Sequence, residues 1–452
     1  MRGRKMKYNK RTIPILCFIL LFTSFLFDHP VGANSTGHKA AHVNNVIFMI
    51  PDGFSASYAT NYRIFKGSEV SRLNPLLVGM MKTRSANNWV TDSAAAATAM
   101  ATGYKTNNDM ISISPEGKPL ETILEAAKKA GKATGLVATS TITHATPAAF
   151  AAHVTSRESK AEVALQMAEK VDVLLGGGKR YFLPQSFGGL QKERNLVEEL
   201  QLKGYSFIEN REELLKLDAT TKQLIGLFAE GPMSPELDRD VTEQPSLAEM
   251  TTAAITALSQ HDGGFFLMVE GSQIDWAGHA NDAAWAMKDI KAFEQAVGVA
   301  LDFAEKDQHT LVVVVGDHDT GGMSAGGYDE YAAKADILRD VKATGKYMAK
   351  QLNSKRSNAK EVLKTYANIE LTKEEAKRMK KADDENLVYV INNIISERAC
   401  IGWTTKVHTG VDVPLYAYGP ASEWFRGSID NTDVPKLMAK AMDIPFLSTL
   451  GH

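Results

Sequence analysis

The sequence predicts an α/β fold: a central, mostly parallel sheet with helices on both faces, plus a helical insertion. Three observations predict it. Apolar, β-rich runs recur at 46–50, 134–137, 171–175, 265–269 and 311–315, each continuous, as strands buried on both faces read. Helical segments with start or stop signals stand between them, and such alternation places helices over parallel strands. Polar residues gather just after three of the strands, where open parallel sheets bind ligands.

The elements follow in order. Strand 46–50 leads to Asp52, and helix 94–102 is closed by Gly103. A helix over 120–130 is closed by Gly131. Strands 134–137 and 171–175 come next, the second followed by Gly176-Gly177-Gly178-Lys179. That run lacks the spacing and the Ser/Thr of a phosphate loop and reads as a structural turn. Ser246-Leu247-Ala248-Glu249 is a capping box that opens a helix through Leu258. Strand 265–269, helix 282–305 and strand 311–315 continue the alternation. Residues 332–398, rich in Lys, Glu and Asn and with a second capping box at Thr372-Lys373-Glu374-Glu375, read as a helical insertion with a solvated charged face. A last strand covers 413–417. No repeat or Pro/Gly-rich linker divides the chain, so residues 34–452 read as one domain.

Composition narrows the class. The chain has 452 residues, 44% hydrophobic and 23% charged, which excludes a disordered, collagen-like or polytopic membrane protein. A formal charge of −2 offers no basic face for nucleic acid. Residues 1–33 read as a signal peptide: a basic start, an apolar run at 13–27, and Val31-Gly32-Ala33 as the cleavage site. Removing its six basic and one acidic residues from totals of 51 and 53 leaves a net charge of −7, an acidic exported protein that is periplasmic, secreted or cell-surface-associated. Cys400 is then the sole thiol, so no intramolecular disulfide forms.

Asp52, Glu270 and Asp317-His318 each follow a buried strand. One such acid is an ordinary turn or cap residue; three delivered to one sheet edge suggest a site. Asp275 and His279 are four apart, on one side of a helical turn, and offer the oxygen and nitrogen ligands that zinc accepts. His408 alone reads as a surface or core histidine, but with this pair it completes a three-ligand site with an open position. Ser93, in Thr91-Asp92-Ser93-Ala94, sits at a helix start. It reads either as an N-cap hydroxyl or as a nucleophile placed where helix amides favour an anion. Asp92 is placed to orient Arg157, whose planar fork matches two phosphate oxygens.

Together the motifs resemble those of the alkaline phosphatase family, in the family's order. They are Pro51-Asp52-Gly53, Thr91 to Ala99, His144-Ala145-Thr146-Pro147, His153-Val154-Thr155-Ser156-Arg157, Glu270 to His279, Asp317-His318 and His408-Thr409-Gly410. The resemblance spans 45–322 and resumes at 404–444. It implies a hydrolase of phosphate monoesters, inhibited by inorganic phosphate and assembled as a homodimer. Asp275, His279 and His408 would hold one zinc, and Asp52, Asp317 and His318 a second. Asp52 would bridge to a magnesium completed by Thr146, Glu270 and water. Ser93 would become a phosphoserine, Arg157 would grip the phosphoryl oxygens, and His153 would lie beside the metal ligands without binding metal.

Two positions depart from the best-known bacterial form, which has Asp at His144 and Lys at Trp276, although other members carry His and Trp. Both lie beside the third metal and the phosphate, which opens that site to zinc or cobalt as well as magnesium. A phosphodiesterase of the same superfamily would share the two-zinc core, but typically uses Thr and lacks the third-metal set. A sulfatase needs a C/S-x-P-x-R element, whereas Ser93 is followed by alanines. A non-catalytic exported metal- or phosphate-binding protein would have lost a ligand or Ser93, and none is missing.

Overall fold

The computed structural model describes residues 43–446, so the signal peptide expected at 1–33 lies outside the described residues. The strands are β1 (Asn45–Pro51), β2 (Leu77–Lys82), β3 (Ala133–Thr141), β4 (Val173–Gly177), β5 (Ser206–Ile208), β6 (Leu224–Leu227), β7 (Phe265–Gly271), β8 (Thr310–Val315), β9 (Asp319–Thr320), β10 (His408–Thr409), β11 (Val413–Tyr418) and β12 (Gly427–Asp430). Ten of these form one sheet in the order β12-β2-β11-β8-β1-β7-β3-β4-β6-β5, while β9 and β10 pair separately. Neighbours in the large sheet are parallel except β11, which runs antiparallel to β2 and β8.

The apolar runs are continuous because alternate residues enter two different cores. Ile47, Met49, Leu267, Val269, Val312 and Val314 pack with the helices Leu247–Leu258 and Ala283–Asp307. Val46, Phe48, Ile50, Phe266, Met268, Val313 and Val315 pack with Ser93–Thr102, Ala145–Ala151 and Lys160–Lys170. Ile50 lies beside Glu270, and Met49 beside Val314. The ends of β7, β1 and β8 therefore finish side by side and deliver Glu270, Asp52 and Asp317 to one edge.

Boundaries moved where local chemistry outweighed pattern. The helix expected from residue 120 spans Ile123–Lys129, because Thr122 takes the cap with Glu125 as its reciprocal partner and the Leu120 amide donates to Ser112 O. The strands β2, β5, β6 and β12 were not expected; β5 and β12 span only Ser206–Ile208 and Gly427–Asp430. The insertion forms the helices Gly345–Lys350, Ala359–Ala367, Lys373–Lys381 and Leu387–Arg398. Its apolar side belongs to the core around Ala283–Asp307, through Leu338, Leu363, Met379, Ile391 and Ile395. Asn392 donates to Ala280 O (2.8 Å) and Tyr389 to His279 O (3.4 Å), so its last helix braces the turn that carries His279.

Candidate active site

Three groups of metal-ligating side chains meet at the sheet edge, and in each the ligand atoms lie within 4.8 Å of one another. Asp275, His279 and His408 form the first. His279 Nε2 is 3.5 Å from Asp275 Oδ2, and His408 Nε2 is 3.5 Å from Asp275 Oδ1. The helix Gln273–His279 sets Asp275 and His279 one turn apart, and the β9–β10 pair brings in His408 opposite Thr320. Both imidazoles are aimed by their other nitrogen: His279 Nδ1 donates to Lys406 O (2.7 Å) and His408 Nδ1 to Thr91 O (2.8 Å). With Nδ1 protonated, each Nε2 keeps its lone pair for an ion.

Asp52, Asp317 and His318 form the second group, all fully buried. His318 Nε2 lies 3.1 Å from Asp317 Oδ2 and 3.6 Å from Asp52 Oδ1. The far oxygen of Asp317 accepts from the amides of Gly53 and His318, both at 3.0 Å. Asp52, His144 and Glu270 form the third, with His144 Nδ1 4.0 Å from Glu270 Oε1 and Thr146 donating to Asp52 Oδ2 at 3.3 Å.

Asp52 Oδ1, Asp317 Oδ2, Glu270 Oε1 and His144 Nδ1 are buried without a hydrogen-bond partner. Atoms so placed are costly unless a cation satisfies them. The titration pattern agrees. Burial, then the charges of Asp317, Asp275 and Glu270, push the Asp52 carboxyl well above its ordinary range. Burial also lifts Glu270 to about 7. For Asp275 burial acts upward, but the His408 hydrogen bond and the neighbouring imidazoles hold it below the usual value. Oxygen-rich and histidine-containing sets of this kind fit divalent ions.

Ser93 opens its helix at the meeting of the first two groups, with Oγ 3.1 Å from His318 Nε2. Asp92, not Ser93, is the N-cap: its Oδ1 accepts from the Ala95 amide at 3.0 Å. The Ser93 hydroxyl is thereby spared the capping role. The other Asp92 oxygen accepts from Arg157 Nη1 (3.0 Å) and from the Asp109 amide (3.0 Å), as the sequence suggested for the first of these. Ser93, Arg157, Trp276 and His408 line one cavity of about 390 Å3.

Two expectations change. His144, expected beside the third metal, has its Nδ1 4.0 Å from Glu270 Oε1 in the group with Asp52, while Arg157 Nη2 lies 3.2 Å from its Nε2. Burial, then the Arg157 charge, lowers its pKa to about 3, so the ring is neutral. Trp276 packs edge-on to it, centroids 5.7 Å apart. His153 is elsewhere: its ring bonds to Ser112 O (2.8 Å) and Glu125 (2.9 Å), away from the three ligand groups. Thr320 was missed. Its hydroxyl donates to Asp275 Oδ1 and lies 3.3 Å from His318 Nδ1, tying the first two groups together. Its place two residues after His318 was the available signal.

The alkaline phosphatase family model matches residues 43–444. Alkaline phosphatase 3 of Bacillus subtilis is 42% identical, over 96% of this chain and 98% of its own. The crystal structure of Thermus thermophilus alkaline phosphatase is similar with a TM-score of 0.81 and 31% identity, over 93% of this chain and 97% of that one. A variant of TAB5 alkaline phosphatase, from an Antarctic bacterium, with Asp for a His and Mg bound in its M3 site, matches at 28% identity and a TM-score of 0.68, over 90% and 100% of the chains. Matched from its first described residue nearly to its last, and carrying metal-ligating groups and a helix-start serine at the sheet edge, the chain belongs to the alkaline phosphatase family of metal-dependent phosphate monoester hydrolases.

Proposed function

We propose that hydrolysis proceeds through a phosphoserine on Ser93. The observation that carries this reading is the Ser93 hydroxyl, released from capping by Asp92 and held 3.1 Å from His318 Nε2 in the cavity that Arg157 also lines. Asp275, His279 and His408 would hold one zinc and Asp52, Asp317 and His318 another; Asp52, Glu270, Thr146 and His144 would hold a third ion, magnesium or, through the imidazole, zinc or cobalt. In TAB5 it is a variant with Asp in place of a His that holds Mg in its M3 site, in keeping with magnesium's preference for oxygen ligands. Bound ions supply Lewis acidity, which makes alkoxide and hydroxide accessible and neutralises phosphoryl oxygens.

The chain's own residues do the rest. Ser93 Oγ forms the bond to phosphorus while the ester P–O bond breaks, and the alcohol departs. Arg157, oriented by Asp92, donates to the phosphoryl oxygens as charge redistributes. Water then cleaves the Ser93–phosphate bond and restores the hydroxyl. Ser93→Ala is expected to keep the fold and bind metal, yet form no phosphoenzyme and lose most turnover. Labelled phosphate trapped at acid pH should map to Ser93; label elsewhere, or near-normal activity in the variant, contradicts the mechanism. Comparing a monoester with a diester separates this reading from the diesterase.

The basic and apolar pattern of residues 1–33 supports export, checked by N-terminal sequencing of the mature protein for a start after Ala33. Family membership supports a homodimer, checked by light scattering.

A further inference from the structure

We propose that Val90, Trp276 and Val407 form a subsite for the organic part of the ester, one that favours phosphates of aromatic or bulky apolar alcohols over those of small polyols. The proposal rests on the phosphomonoesterase reading above and names its substrate class.

The cavity containing Ser93 and Arg157 measures about 390 Å3, and these three apolar side chains line it. A water takes about 30 Å3 of liquid volume, so a phosphoryl group occupies only part of the space. What remains is walled by two isopropyl groups and an indole from three separate segments. Val407 is 60% exposed, an apolar surface at the reactive centre that a ligand would cover.

The walls are fixed in advance. Gly321 N donates to Val407 O at 2.9 Å, and the residues on either side are tied down by the His279–Lys406 O and His408–Thr91 O bonds. Val90 donates to Asn88 Oδ1 (2.9 Å) and its carbonyl accepts from Asn108 Nδ2 (3.1 Å). Ordering these segments therefore costs a ligand little. Asn108 also lines the cavity, but its amide is engaged at both ends, since Oδ1 accepts from Asp92 N at 3.2 Å. Against Val90, Trp276 and Val407 a polyol hydroxyl finds no polar partner, whereas an aromatic ring gains contact with the indole and both valines.

The test is a Val90→Thr/Val407→Thr double variant, which keeps shape and removes apolar character. Two ratios are read in wild type and variant: kcat/KM for 2-naphthyl phosphate over glycerol 2-phosphate, and the inhibition constant of methylphosphonate over that of phenylphosphonate. Comparing enzymes cancels the intrinsic reactivity of each ester. Both ratios should fall about three- to tenfold, less than the 10–200-fold that an enclosed apolar pocket gives, because this wall is open to solvent. Unchanged ratios overturn the proposal. So does equal weakening of both phosphonates, which would mean damage to the phosphoryl site, or a change of oligomeric state with the ratios unmoved, which would assign the valines to a subunit contact. Failure of the underlying reading looks different: wild type would then hydrolyse neither monoester and would carry no label on Ser93.

Discussion

Among single residues, Arg157 and His144 show how closely the phosphoryl and metal sites are coupled. Arg157 reaches Asp92 with one nitrogen and His144 with the other. Arg157→Ala removes charged hydrogen bonds of about 1.5–3 kcal/mol. Inorganic phosphate inhibition should therefore weaken roughly ten- to a hundredfold with hydrolysis still measurable; an unchanged inhibition constant contradicts the assignment. His144 supplies a nitrogen where a carboxylate would supply oxygen, and magnesium prefers oxygen. His144→Asp should tighten magnesium binding by about tenfold or more and reduce activation by zinc or cobalt. Calorimetric titration of metal-stripped protein reads this directly, and equal magnesium affinities would refute it.

At the scale of elements, helix starts carry much of the design. Asp92 caps the fully buried helix Ser93–Thr102 and aims Arg157 with the same carboxylate. The cap of Ile123–Lys129 has a second duty too. Glu125 accepts from the Thr122 amide, from His153 Nε2 (2.9 Å) and from Lys170 Nζ (2.7 Å). Burial acts upward on this carboxyl, but those hydrogen bonds hold it down at about 2. A depressed carboxylate contributes stability above its unfolded value of roughly 4.3 and loses it as pH falls through the folded one. Glu125→Gln keeps the cap but not the charge, and should cost about 1.5–3 kcal/mol at pH 7. Thermal melts should show the gap between variant and wild type narrowing as pH drops from 4.3 toward 2. His153, expected beside the metals, thus serves the packing of two helices.

For the whole molecule, the sheet edge gathers more buried carboxylate than its imidazoles and Arg157 balance, so bound cations and folding are linked. Chelation should lower Tm and re-addition restore it, since each occupied site adds about 2.7 kcal/mol of stability at a hundredfold excess over Kd. Glu270, raised to about 7, and Asp52, raised well above its usual range, must release protons to bind an ion. His144 is already neutral above about 3. The metal-dependent gain in Tm should therefore increase as pH rises through 7. A gain independent of pH between 5 and 8 would contradict the ligand role of Glu270.

By itself the sequence determined the α/β class, the strands β1, β3, β4, β7, β8 and β11, and every residue of the three ligand groups but His144. These were legible because both-face burial leaves continuous apolar runs, because Asp52, Glu270 and Asp317-His318 follow such runs, and because Asp275 and His279 stand one helical turn apart. Tertiary structure alone decided the rest. The carbonyls of Thr91 and Lys406 that orient His408 and His279 have no sequence signal, since every residue has a carbonyl. His144 became a candidate ligand and His153 a packing residue only once β3 and the turn after it fixed which ring faced Glu270. Charge in the insertion suggested a solvated face, yet Ile391 and Ile395 carry its last helix into the core, where Tyr389 and Asn392 brace the turn after His279. That outcome depends on which side of each helix meets the sheet, and chains distant in sequence settle it only by packing.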